Sequence, residues 1–272
     1  MERYLRFPLG RAKALTLSYD DGMVFDKRLI ELMRESGIKG TFNINSGLFG
    51  VKRRLKEEQI VETYSGNDIE VAVHGYYHQW PDAITGVQAV TEFALDKEKL
   101  EKLFNRVVRG MAYAYGKYTD EVVEILKLIG IKYSRTTESS LSFDMPSDWL
   151  RLKPTCHHKN EKLIELAKNF NDAKPNEQRN RKPMLFYVWG HSYEFNDNNN
   201  WEIIEEFFQL VGKREDVWYA TNIEIYDYAK AYENLDFSAD GKLVYNRSSI
   251  DVWFFQDGKT VMAKAGETTK ID

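Results

Sequence analysis

The sequence predicts an α/β protein, a barrel of parallel strands over residues 1–233 with a short β-hairpin appendage, residues 234–272, packed on it. Three observations carry this expectation. Strand-like apolar runs alternate with helical patterns along most of the chain, the signature of parallel strands joined by crossover helices. The residues able to do chemistry cluster where apolar runs end, at the strand ends that form the functional face of α/β barrels. Beyond about Asn234 the helical patterns stop, and short strands follow, separated by Asp240-Gly241 and Asp257-Gly258.

Taken in order, the strands read as 14–18, 39–43, 69–73, 110–114, 131–135, 151–154, 184–189 and 217–220. The helices between them read as Asp26 to Glu35, Lys56 to Tyr64, Val90 to Val107, Thr119 to Ile129, Glu161 to Phe170, Trp201 to Val211 and Ile223 to Tyr232. In the fourth, Val122, Val123, Leu126 and Ile129 fall on one face at helical spacing. Seven or eight such units suffice for a barrel. In the appendage the strands are Asp236 to Ser238, Lys242 to Tyr245, Asp251 to Phe255 and Thr260 to Ala263. About 40 residues rarely fold alone, so this piece is expected to pack on the barrel. Two polar stretches, Asn171 to Lys182 and Asn196 to Asn200, read as loops.

Composition excludes several classes of function. A net charge of −4 leaves no basic footprint for nucleic acid or an anionic membrane. No stretch approaches the roughly 20 apolar residues of a membrane span. The single Cys156 excludes an internal disulfide and suits a reducing compartment. The first residues, Met-Glu-Arg-Tyr-Leu-Arg-Phe-Pro, have no apolar core of signal-peptide length, so the expected location is cytoplasmic. Aromatic residues reach 14%, which serves a Tyr-rich core and a sugar-stacking cleft equally well.

Two segments carry chemistry. Ala14-Leu15-Thr16-Leu17 runs into Ser18-Tyr19-Asp20-Asp21-Gly22, placing adjacent carboxylates at a strand end. Their repulsion and desolvation favour a nearby cation, although the triplet also reads as a plain turn. The run from Ile69 ends in His74-Gly75-Tyr76-Tyr77-His78, whose two imidazoles can face one point. An Asp and two His suit Zn²⁺, Co²⁺ or a similar metal and leave positions open for water and substrate, whereas a half-buried hydrogen-bonded His pair is the bland alternative.

With these segments in place the chain resembles the polysaccharide deacetylase family, the NodB-homology group of carbohydrate esterase family 4. The family's first motif, T-F-D-D-G, is similar to Ser18 to Gly22, and its second, H-[ST]-x-x-H, to His74 to His78. Its third corresponds to Ala112-Tyr113-Ala114-Tyr115-Gly116, its fourth to Asp148-Trp149, and its fifth to Trp189-Gly190-His191. The motifs follow family order over residues 14–191. The resemblance implies an irregular barrel and a metal-dependent carbohydrate N-deacetylase acting on an N-acetylated amino sugar or oligosaccharide. Asp21, His74 and His78 would hold a divalent metal, zinc first and cobalt second. Asp20 would be the base, Tyr115 would lend its backbone N–H to the oxyanion, and His191 would be the acid, oriented by Asp148. Trp149 and Trp189, with Tyr115, would wall the substrate pocket.

Alternatives that share the residues are an O-acetyl esterase on an acetylated glycan and a catalytically silent carbohydrate-binding protein on the same fold. The chain departs from the family pattern twice. Gly75 replaces a Ser or Thr, and Ala112 stands where the family has an arginine beside the base. Arg135, ending the neighbouring strand, is the expected replacement, since adjacent strands deliver side chains to one rim; Arg109, at its strand's start, is expected at the opposite rim. His157 and His158 read as a loop pair without a chemical role or, alternatively, as groups lining the cleft, and Cys156 has no base with which to act as a nucleophile.

Overall fold

A computed structural model describes residues 2–177 and 181–271. The stretch 171–182, read above as a polar loop, therefore lies partly outside the described residues. In chain order the elements are β1 (Arg3–Arg6), β2 (Lys13–Asp20), α1 (Asp26–Glu35), β3 (Gly40–Ile44), α2 (Glu57–Thr63), β4 (Ile69–Val73), α3 (Gly86–Phe104), β5 (Gly110–Ala112), α4 (Asp120–Leu128), β6 (Tyr133–Arg135), β7 (Cys156–His157), α5 (Leu163–Asp172), β8 (Met184–Gly190), α6 (Tyr193–Asp197), α7 (Glu202–Val211), β9 (Val217–Tyr219) and α8 (Asn222–Glu233). Five short strands follow the last helix: β10 (Leu235–Phe237), β11 (Leu243–Asn246), β12 (Val252–Gln256), β13 (Lys259–Ala263) and β14 (Thr268–Lys270).

The main sheet is parallel, in the order β6-β5-β4-β3-β2-β8-β7. β9 pairs with the first residues of β2, below β3 on the same edge. The ring is completed by the segment after a short 3₁₀ turn at Trp149–Arg151. Leu152 bridges to Arg135, donating its N–H to Ser134 O at 3.0 Å, and Cys156 and His157 pair with Val188 and Trp189. The strand expected at 151–154 is thus a turn, a single bridge and the two-residue β7. An irregular (β/α) barrel results.

Strand periodicity sorts β2 into two faces. Leu15, Leu17 and Tyr19 join the main apolar cluster with stripes such as Leu29, Ile30 and Met33 of α1 and Ile204, Phe207, Phe208 and Val211 of α7. Thr16, Ser18 and Asp20 alternate with them and carry polar contacts instead: Thr16 to Asn222 at 2.9 Å, Asn43 to Ser18 at 2.8 Å, and Arg135 to Asp20. The barrel is lined by hydrogen-bonding groups as well as by Leu185, Tyr187 and Trp189. At its N-terminal end Glu70 is buried and accepts from Tyr133 Oη (2.8 Å), Thr41 Oγ1 (2.9 Å) and the Ile223 N–H (2.9 Å).

α3 starts at Gly86, four residues before the expected boundary, because Thr85 and Gln88 form a reciprocal capping box. Three elements were not anticipated: α6, β1 and β14. α6 is a five-residue helix directly after β8, too short to leave a periodic stripe. β1 pairs antiparallel with β12, so the sheet β1-β12-β13 combines both ends of the chain, beside a second sheet β10-β11-β14. The appendage docks on α8, where Tyr228 Oη donates to Arg6 O and accepts the Trp253 N–H, both at 2.9 Å. Among the described residues no helix is long and apolar enough to cross a membrane.

Burial pushes the Glu70 carboxyl up to about 7, against hydrogen bonds from Ile223, Tyr133 and Thr41 that favour its charge. The native state then keeps a proton that the unfolded chain loses near the ordinary glutamate value of ~4.3. The stability this adds is complete at acid pH and is lost as pH rises toward 7. Glu70→Gln is expected to flatten the fall in unfolding free energy between pH 5 and 7.5 by on the order of 3 kcal/mol, measured by urea denaturation across that range.

Candidate functional site

The site lies where β2, β4, β6 and β8 end. β2 delivers Asp20 inward as its last residue; Asp21 then adopts φ 82 and Gly22 φ 68, so the chain turns away and the two carboxylates diverge. Asp21 Oδ1 faces His78 Nε2 at 3.6 Å and His74 Nε2 at 4.0 Å, and the two Nε2 atoms are 3.2 Å apart. His74 Nδ1 lies 2.8 Å from the Ala112 carbonyl, an acceptor only, so Nδ1 carries a proton and Nε2 is the nitrogen turned to Asp21 and His78. Burial and the neighbouring His74 pull His78 down to about 4, leaving its imidazole neutral. Two imidazole nitrogens and a carboxylate oxygen meeting at one point are a fitting donor set for a divalent metal, and Asp21, His74 and His78 form one of two such groups among the described residues.

The loop carrying both histidines is held by α3. Asp96 accepts the His74 N–H at 3.0 Å and the Ser46 N–H at 2.8 Å. Glu92 Oε1 accepts the N–H groups of Tyr77 (2.8 Å) and Gln79 (3.1 Å). This clamp accounts for Gly75: its φ is 88, and a Cβ there would lie 2.8 Å from Glu92 Oε1. Glu92 and Asp96 were missed in the sequence because acidic residues at i, i+4 on a long helix resemble a solvated face.

Asp20 is almost fully buried. Desolvation would raise its pKa, but Arg135, His74 and His191 outweigh it and hold the carboxyl at about 2. Arg135 Nη2 donates to Asp20 Oδ2, and Asn43 Nδ2 donates to Oδ1 at 2.8 Å. Arg135 is the register partner of Ala112 on the adjacent parallel strand, so the cation arrives one strand over from the vacancy. It makes one contact to the carboxylate, sends Nη1 to Thr136 O, and stacks over Trp189 at 4.2 Å. Arg109 pairs with Asp227 at 2.6 and 2.8 Å at the opposite end of the barrel.

The remaining expectations divide. Tyr115 and Trp189 line the same cavity of about 570 Å³ as Asp20, Asp21, His74, His78 and His191. Tyr115 sits at φ 58, its ring stacked on Trp80 at 3.8 Å and edge-on to His78 at 4.5 Å. Asp148 is not beside His191. It accepts the Leu150 N–H at 2.9 Å and pairs with Arg151 at 2.8 Å, so its own turn consumes it. Trp149 is buried in the same cluster as Leu185, Tyr187 and Trp189, 5.2 Å from Tyr226, and does not line the cavity. The carboxylate facing His191 is Glu194 of α6, with Oε2 3.6 Å from His191 Nδ1. Burial lowers the His191 pKa, but Glu194, Asp20 and Asp21 together raise it. His157 and His158, expected to be a passive pair, both turn Nε2 to the same oxygen. Arg54, also unanticipated, touches Asp21 Oδ1 at 3.2 Å.

Residues 9–134, which hold Asp20, Asp21, His74 and His78, match the model of the polysaccharide deacetylase family. No curated protein matches the sequence. Among solved structures, a Mycobacterium smegmatis protein assigned to the polysaccharide deacetylases is 15% identical over 85% of this chain and 94% of its own, with a TM-score of 0.60. A CE4 family pseudoenzyme from Bacillus anthracis is 17% identical over 82% of this chain and 68% of its own, TM-score 0.51. A Streptococcus pyogenes deacetylase solved with acetate is 23% identical over 45% of this chain, TM-score 0.43; this chain spans 55% of its length. The two longer alignments are likenesses of fold.

Removing one member of a buried ion pair strands the other. Arg135→Met is expected to lower unfolding free energy at pH 7 by about 3–5 kcal/mol in chemical denaturation, and adding Asp20→Asn to recover part of that loss.

Proposed function

We propose that this chain is a member of the polysaccharide deacetylase family and a metal-dependent hydrolase that removes acetyl groups from an N-acetylated amino sugar or its oligomers. The observation that carries the reading is the meeting of Asp21, His74 and His78 beside an ionised Asp20, with His191 lining the same cavity. Zinc, or cobalt, suits the donor set. When bound, such a cation supplies Lewis acidity to the acetyl carbonyl and makes a water a stronger acid.

The protein's own groups supply the rest. Asp20 takes the proton of the attacking water; held at about 2 it is a weak base, which is why the water needs acidifying. Arg135 and Asn43 fix both its oxygens, so it is charged and oriented before substrate arrives. Tyr115, in its left-handed turn, offers its backbone N–H to the developing oxyanion. His191, with Nδ1 toward Glu194, presents Nε2 to the leaving amine and gives up its proton as the carbon–nitrogen bond breaks. Trp189 and the exposed Trp80–Tyr115 stack offer flat apolar faces suited to a sugar ring.

Acetate release from N-acetylglucosamine oligomers, with acetylxylan as the ester control, tests the reading. Turnover on the oligomers should vanish with chelator and return with zinc or cobalt. Asp20→Asn should keep stoichiometric metal yet lose roughly 10²–10⁴-fold in kcat, whereas His78→Ala should lose metal and turnover together. Chelator-insensitive turnover, or no acetate from any N-acetylated oligomer in the metal-loaded protein, would overturn it.

A further inference from the structure

We propose that Glu194, held as a carboxylate by His157, His158 and Lys159, is the positioning residue for His191. The inference rests on the reading of His191 as the acid. Glu194 stands on the first turn of α6, three residues after His191, and its two oxygens are divided. Oε1 takes the Lys159 ammonium at 2.8 Å. Oε2 faces His157 Nε2 at 3.1 Å, His158 Nε2 at 3.1 Å and His191 Nδ1 at 3.6 Å. One side chain therefore ties the end of β8 to the segment after β7. Close approach makes this possible: a Cβ on Gly190 would fall 1.9 Å from His158 Nδ1.

The same cluster resembles a second metal centre, and two contacts speak against that use. The Lys159 backbone N–H donates to His157 Nδ1 at 3.1 Å, so the neutral ring carries its proton on Nε2, the atom a metal would require. The Lys159 ammonium already neutralises the carboxylate. His157 Nε2 faces Oε2 at 3.1 Å as a charge contact rather than an aligned hydrogen bond. His158 stacks between Tyr19 and Phe195, and burial pulls it down to about 4, so it stays neutral beside the anion. Glu194 is driven far below the usual carboxylate range: burial opposes its charge, but the three imidazoles and Lys159 prevail.

An anion on the Nδ1 side favours the imidazolium and turns Nε2 to the cleft. The other groups acting on His191 are Asp20 and Asp21 from the end of β2, with the rings of His157 (6.2 Å), Tyr193 (5.2 Å) and Trp189 (5.7 Å) around it. In the donating step the His191 Nε2–H bond breaks, an N–H bond forms on the departing amine, and the ring is left neutral with its Nδ1–H toward Glu194.

The test pairs a titration with kinetics in the zinc-loaded full chain. The His191 imidazole is followed by ¹⁵N NMR, its signal assigned by loss in His191→Asn, in wild type, Glu194→Gln and Glu194→Asp. Glu194→Gln should lower the His191 pKa by about one unit or more. The alkaline limb of kcat/KM for acetate release should move down by the same amount, with KM unchanged and part of the shift recovered in Glu194→Asp. A pKa and limb that stay in place in a folded Glu194→Gln would overturn the proposal. So would a second equivalent of zinc that Glu194→Gln loses and His78→Ala retains. If Glu194→Gln does not fold, Glu194→Asp carries the test: its shorter, displaced carboxylate should move the limb down by a smaller step, and no shift overturns the proposal. A shifted pKa in a chain that releases no acetate from any oligomer rejects the deacetylase reading and leaves the Glu194–His191 pairing standing.

Discussion

One buried carboxylate organises the top of this barrel. Asp20 is almost without solvent, and a charge so placed is retained only with a cation and hydrogen bonds to match it. Arg135 is itself fully buried and has the same need in reverse. Their meeting depends on the register that puts Arg135 opposite Ala112, and on the bridge from Leu152 that closes the ring behind Arg135. The absence of an arginine at 112 is thus compensated by the topology of the sheet. A strand slipped by one residue would aim Arg135 away from the interior and leave Asp20 uncompensated.

The same burial has opposite outcomes elsewhere. Asp26, Asp96 and Glu70 are as deeply placed as Asp20, yet burial carries each up to about 7, because hydroxyl and backbone donors meet them instead of a guanidinium. Asp26 accepts from Tyr64 and Ser192, and Asp96 from Ser46 and His74. Asp20 and Glu194, which have cations or several imidazoles at hand, go the other way. The interior therefore separates its acids into ionised ones along the cleft and readily protonated ones behind it, and the sorting agent is the identity of the nearest donor.

What the sequence disclosed and what it hid follow from locality. Asp20, Asp21, His74 and His78 end apolar runs in two short segments, so residue type and spacing, together with the ordered family motifs, marked them. Arg135 was accessible through strand adjacency, a rule about neighbours in the sheet. Asp148 misled because an Asp before Trp says nothing of which way it points; in the fold its oxygens serve Leu150 and Arg151. Glu194 was hidden in a five-residue helix, read as the approach to a polar loop, and the convergence of His157 and His158 on it depends on β7 lying beside β8. The clamp from Glu92 and Asp96 needs a contact between a helix and a loop some twenty residues away, beyond any local pattern. β1 was invisible for a stronger reason, since its partner is β12.

That pairing has a consequence in time. Arg3 lies opposite Gln256, so β1 has no partner until the residues between it and β12 have followed. At ~5–20 residues per second its edge stays open for roughly 10–50 s, long after the strands of the barrel's first half can meet their neighbours. Such a separation raises contact order and slows the final docking step. The charged side chains of Arg3 and Arg6 guard that open edge meanwhile, as basic residues on exposed strands discourage pairing with other chains.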